Sequence, residues 1–194
     1  MKKKHLVLAL ALAAAPFAAS AADLSYTYVE GGYTRLDTDE DAGDFEFDGG
    51  QIRGSVAIAD AFYLHGSYGR VSEDVLGTDV DVDDAQIGVG YRLAMGERAD
   101  FIAELAYVRQ EVDIDGFGDE TIDGGRASVG VRGAINDRLE GYAKVNYVDG
   151  GDFDGDFSGT LGALVKFNPT WGLVAEVEGD NDARRYLVGV RASF

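Results

Sequence analysis

The chain has no cysteine and only two prolines. Beyond residue 21 it has a single histidine, His65, and no uninterrupted apolar run longer than five residues. Each absence excludes something. Without cysteine there is no disulfide and no thiolate chemistry. Without a run of about 20 apolar residues, no part of the chain beyond residue 21 can cross a bilayer as a helix. One histidine leaves little for metal or acid–base chemistry that relies on imidazole. Basic residues are also scarce: 17 Lys and Arg stand against 35 Asp and Glu, for a formal charge of −18. So acidic a surface repels phosphates, which argues against nucleic acid as a partner.

The first residues form a separate segment. Lys2, Lys3 and Lys4 precede an apolar run from Leu6 to Phe17, and Ala19-Ser20-Ala21 follows. A basic start, a short apolar stretch and small residues at a cleavage site define a secretory signal peptide. The expected division is therefore a signal peptide over 1–21 and one β-barrel domain over 22–194. Removing 1–21 takes three basic and no acidic residues, so 14 bases remain against 35 acids.

The remainder is rich in glycine (27 residues) and alternates apolar and polar residues in segments of about ten. These predict ten strands: 25–36, 45–58, 62–72, 82–93, 100–111, 123–135, 138–148, 157–167, 171–179 and 184–194. The connections alternate too. Short ones (59–61, 94–99, 136–137, 168–170) take turns with longer acidic ones (37–44, 73–81, 112–122, 149–156, 179–183). Short turns on one side and long loops on the other mark outer membrane barrels, whose long loops face outward. The expected fold is all-β, a transmembrane antiparallel up-and-down barrel of ten strands, with eight as the alternative.

The alternation assigns two faces. Outward runs such as Ile87, Val89, Tyr91 and Leu93, or Leu161, Ala163, Val165 and Phe167, carry no charge, as a lipid-facing surface requires. Aromatics gather at strand ends: Phe62, Tyr91, Phe101, Phe167, Trp171 and Phe194 at one end, Tyr33, Tyr107, Tyr147 and Tyr186 at the other. They read as two interfacial girdles. The opposite face carries Glu30, Glu104, Glu140 and Glu176 with Arg53, Arg92, Arg126, Arg132, Lys144, Lys166, Arg185 and Arg191. Buried charges are costly unless paired, so a salt-bridge network filling the barrel is the preferred reading. The alternative is a narrow pore with a basic lining, kept open by inward Gly88, Gly90, Gly130, Gly162 and Gly189. The chain ends with Tyr186, Val188, Val190, Ala192 and Phe194 on one face, a pattern resembling the recognition signal of the barrel insertion machinery.

The longer loops and their rims hold 23 acids. Asp152, Asp154 and Asp156 are spaced like the start of a Ca²⁺ loop, but the later bidentate Glu is missing. A solvated acidic loop is the preferred reading, with no cofactor and no dedicated metal site. Divalent cations bridging these loops to lipopolysaccharide phosphates, alongside outer membrane lipid itself, are the expected partners. No Gly-x-Ser-x-Gly elbow is present, and His65 faces inward toward the short-turn end, so no enzymatic activity is expected.

Specific segments carry a family resemblance. Leu24-Ser25-Tyr26-Thr27-Tyr28-Val29-Glu30-Gly31-Gly32-Tyr33, Ile87-Gly88-Val89-Gly90-Tyr91, Leu139-Glu140-Gly141-Tyr142-Ala143, Asp152-Phe153-Asp154-Gly155-Asp156 and Val165-Lys166-Phe167-Asn168-Pro169-Thr170-Trp171-Gly172-Leu173 look like a family of small outer membrane proteins of xanthomonad-type bacteria. That family was once proposed to supply secreted quorum-sensing factors and elicitors of plant immunity under diffusible-signal-factor regulation. The resemblance spans nearly all of the chain after residue 21. It implies an outer membrane location and carries over no catalytic or ligand-binding residue. The function expected is a non-enzymatic surface barrel contributing to envelope integrity, adhesion or biofilm and signalling behaviour. A narrow porin-like channel for small solutes or ions is the alternative.

Overall fold

A computed structural model of the protein describes residues 24–38, 45–75, 78–114, 116, 118–151, 153–180 and 182–194. The proposed signal peptide lies outside them. Ten strands follow in order: β1 (Tyr28–Thr38), β2 (Glu46–Ala57), β3 (Phe62–Val75), β4 (Thr78–Ala94), β5 (Ala99–Ile114), β6 (Gly118–Ala134), β7 (Leu139–Gly150), β8 (Phe153–Lys166), β9 (Trp171–Gly179) and β10 (Ala183–Ser193). Each pairs antiparallel with its chain neighbours, and β1 pairs with β10, which closes the barrel. Closure leaves no unpaired edge, the condition for strands in hydrocarbon.

The wall has two faces, as the period-2 pattern requires. Leu105 is 65% exposed, and Ile87, Val145, Leu161 and Val188 on neighbouring strands are exposed likewise. An apolar band of this extent belongs against lipid, not water. Phe62 and Tyr91 face each other across β3 and β4 with ring centroids 5.3 Å apart at the short-turn end. Of the C-terminal set, Tyr186, Val188 and Val190 are exposed. Ala192 is covered, its small side chain lying between the larger Val29 and Trp171 directly opposite on β1 and β9.

The structure differs from the sequence reading at both ends of the barrel. Most of the segments expected as loops at 73–81, 112–122 and 149–156 are strand. The β3/β4 ladder runs up to Val75–Thr78, the β5/β6 ladder to Ile114–Gly118, and β7/β8 to Gly150–Phe153. The apolar residues there sustain the alternation: Val71, Val80, Val82 and Val112 turn inward and pack with Leu36 and Phe47. The high density of Asp on the other face disguises the pattern. At the opposite end, Leu24–Thr27 is not strand. This segment turns into the barrel mouth, where Leu24 and Tyr26 are buried against Tyr63 and Ile102.

Candidate functional site: the lumen and its outer vestibule

Every inward base assigned from the alternation meets an acid. Glu30, 1% exposed, accepts from Arg53 Nε and Arg191 Nε, each at 2.7 Å. Arg53 also reaches Glu176 at 2.6 Å. Glu140 holds Arg132 at 2.6 Å and Lys166 at 2.5 Å, and Lys144 lies 3.2 Å from Glu104. Three acids complete the set. Asp84 pairs with Arg185 at 2.6 Å, Glu178 with Arg126 at 2.5 Å, and Asp100 with Arg92 at 3.6 Å. The expected strands 82–93 and 171–179 contain Asp84 and Glu178, but both were counted with the acidic rims of the outer loops and not with the inward face. Asp100 sits beside a short turn, where the strand face was hardest to fix. With these three, the lumen holds nearly equal numbers of acids and bases, and the expected basic lining is corrected to a balanced one.

Tyrosines tie the network to the wall. Tyr63 donates to Glu104 at 2.7 Å, and Tyr142 donates to Glu176. Each ring fills the space in front of a facing glycine, Gly90 for Tyr63 and Gly162 for Tyr142. The inward glycines expected to widen a pore instead seat these rings, and a pore held open by them is corrected at these two positions.

The short-turn end carries a second closure. Tyr26 donates its hydroxyl to Asp100 at 2.9 Å, and the guanidinium carbons of Arg92 and Arg132 both lie 4.9 Å from its ring centroid. Arg132 donates to the Ser25 carbonyl and Ser55 to the Tyr26 carbonyl. Ser25 in turn donates to the Phe194 carbonyl at 2.9 Å. The bonds from Arg132 and Ser55 satisfy the Ser25 and Tyr26 carbonyls, and the Phe194 amide satisfies that of Thr27, in a segment that is not itself strand.

Between the ion pairs and the long-hairpin end lies a vestibule of about 390 Å³. A cavity of about 60 Å³ lies below, among Tyr26, Tyr28, Tyr63 and Tyr142. Arg53, Glu104, Lys144 and Glu176 line both, and so stand as a partition of ion-paired side chains at the level where the two meet. His65 lines the vestibule, and its buried Nε2 has no hydrogen-bond partner.

The outer rim is acidic. Register sets Asp81 of β4 opposite Asp113 of β5, and Asp113 opposite Asp119 of β6. The exposed carboxylates of Asp156, Asp180 and Asp182 lie within 4.8 Å of one another. Of the three aspartates with Ca²⁺-loop spacing, Asp152 lies outside the described residues and only the Asp156 side chain is described.

The comparisons agree with this architecture. The model of the family described as "Outer membrane protein beta-barrel domain" matches residues 6–185. Among solved structures, the translocator domain of the autotransporter NalP from Neisseria meningitidis is similar. It has a TM-score of 0.52 at 13% identity over 89% of this chain and 90% of its own. Neisserial surface protein A scores 0.48 at 16% identity, covering 88% and 98%. Ail of Yersinia pestis, solved with the heparin analogue sucrose octasulfate, scores 0.48 at 12% identity, covering 87% and 97%. At these identities the likeness is one of fold alone. No curated protein sequence matches the chain.

Proposed function

The chain belongs to the outer membrane protein β-barrel family, and we propose that it is a closed, non-enzymatic surface barrel whose acidic outer hairpins stabilise the envelope. The observation that carries this reading is that the lumen is occupied at two levels, by the paired charges around Arg53, Glu176, Lys144 and Glu104 and by the Leu24–Thr27 segment. A barrel so filled acts through its surface. Its rim sets like charges directly opposite one another at Asp81, Asp113 and Asp119, an arrangement that is unfavourable alone and relieved by cations. Divalent ions shared between these carboxylates and lipopolysaccharide phosphates would anchor the hairpins in the outer leaflet. Adhesion, biofilm or signalling behaviour, as the xanthomonad family resemblance suggests, would then follow from the same exposed hairpins.

The test is complementation. Cells whose only copy carries Asp79, Asp81, Asp113 and Asp119 all changed to Asn should become as sensitive to detergent and chelator as cells lacking the protein. Full restoration of resistance by that variant would sink the reading. The second reading, a narrow channel, has the vestibule in its favour; it requires the partition below to part.

A further inference from the structure

The vestibule divides its polar groups into two classes. Its deeper charged side chains are locked to one another: Arg185 to Asp84, Arg126 to Glu178, Lys144 to Glu104, Arg53 to Glu176. The exposed Arg109 pairs with Glu111, and the exposed Asp180 accepts from the backbone amides of Asp182 and Ala183. A charged ligand would have to break one of these pairs and strand the other partner, which is costly in a confined site. The uncharged side chains are different. Gln51, Ser67, Gln86, Gln110 and Ser128 line the same space and make no side-chain hydrogen bond among the described residues. The unpartnered Nε2 of His65 joins them.

These groups are neighbours. They lie on the contiguous strands β2 to β6, and Ser67 stands directly opposite Gln86. Beside Gln86 comes Val108, its cross-strand partner on β5, and Ala106 lines the vestibule from the same strand. The wall therefore offers amides and hydroxyls, each able to donate and accept, around a small apolar strip. Sites for small molecules have volumes of about 300–1,000 Å³ and combine apolar lining with a few convergent polar groups. At about 390 Å³ the vestibule falls within that range.

From this we propose that the vestibule is a binding site for an uncharged polyhydroxylated small molecule, of monosaccharide or polyol type, entering from the long-hairpin side. Its hydroxyls take up the free amides and serines, and its C–H faces cover Ala106 and Val108. The partition beneath it makes the site blind, so the molecule is held and not passed on.

The experiment is an NMR titration of the folded, isotope-labelled barrel in zwitterionic detergent with glucose, glucuronate and glucosamine. These share one ring and differ in charge. Glucose should give saturable shifts on the side-chain amides of Gln51, Gln86 and Gln110, with affinity at least about fivefold tighter than for either charged analogue. Gln86→Leu should weaken glucose by about fivefold or more, since it removes the amide and keeps the size. Should Gln86→Leu fail to show the heat-modifiable gel migration of a folded barrel, Gln110→Ala, nearer the mouth, replaces it. Linear, non-saturating shifts would mean that the vestibule holds only water. That result, equal affinity for the charged analogues, or indifference to the folded variant would each overturn the proposal.

Discussion

Tyr63 and Gly90 stand directly opposite each other on β3 and β4, and the tyrosine ring occupies the space that any side chain at position 90 would need. Tyr142 and Gly162 repeat the arrangement across β7 and β8. In both, the missing Cβ lets the ring reach a luminal carboxylate, Glu104 or Glu176. Gly90→Ala should therefore destabilise the barrel by about 1–3 kcal/mol through overpacking. The cost should shrink in a Tyr63→Ala background, where the ring is gone. Urea unfolding of the two single variants and the double would show it; strictly additive costs would contradict the packing account.

Glu30 carries the heaviest electrostatic responsibility, because two arginines depend on one buried carboxylate. Removing one member of a buried pair typically costs about 3–5 kcal/mol. Glu30→Ala should lose at least that much, with Arg53 still held by Glu176 and Arg191 left alone. The paired change Glu30→Gln with Arg191→Gln should recover part of it. Equal stability of Glu30→Ala and the unmodified protein, by denaturant midpoint, would refute the network as a source of stability.

The outer girdle repeats one motif. Tyr33, Tyr68 and Tyr107 donate to Asp48, Asp83 and Asp123 on the next strand, and an arginine follows each tyrosine by two residues. Arg70 also binds Asp83 through two nitrogens. Tyr68→Phe should cost about 1 kcal/mol, the usual net worth of a hydrogen bond. Tyr91→Phe, at the other girdle and without a hydroxyl partner, should cost nothing measurable by the same unfolding assay.

The ten strands and their two faces were legible because period 2 is enforced twice, by lipid outside and by charge inside. Inward and outward residues such as Arg132 and Val131 differ so sharply that register could not slip. Legibility failed where only one face spoke. Beyond the membrane Asp79, Asp81 and Asp83 alternate with Val80 and Val82, and a solvated acidic face looks like a loop. The Leu24–Thr27 segment keeps the apolar alternation of a strand, yet its place is decided by Asp100, Arg92 and Arg132, which are distant in sequence. The alternation also turns Gln51, Ser67, Gln86 and Ser128 inward, but the vestibule they line was not legible, since its wall is assembled from five strands.

The two closures act in series, which makes a separable forecast. Tyr26→Ala should unseat the short-turn plug and leave the ion-pair partition shut, so it should stay non-conducting. Tyr26→Ala combined with Arg53→Ala and Glu176→Ala should open a continuous path. Conductance from Tyr26→Ala alone would show that the partition does not seal.

The central claim, a lumen closed by its own paired charges, is tested most directly by single-channel recording of the refolded barrel, residues 22–194, in planar bilayers. A barrel shown to be folded by its gel migration should remain silent in molar salt at moderate voltage. Discrete, reproducible openings from the unmodified protein would contradict the account and make it a channel.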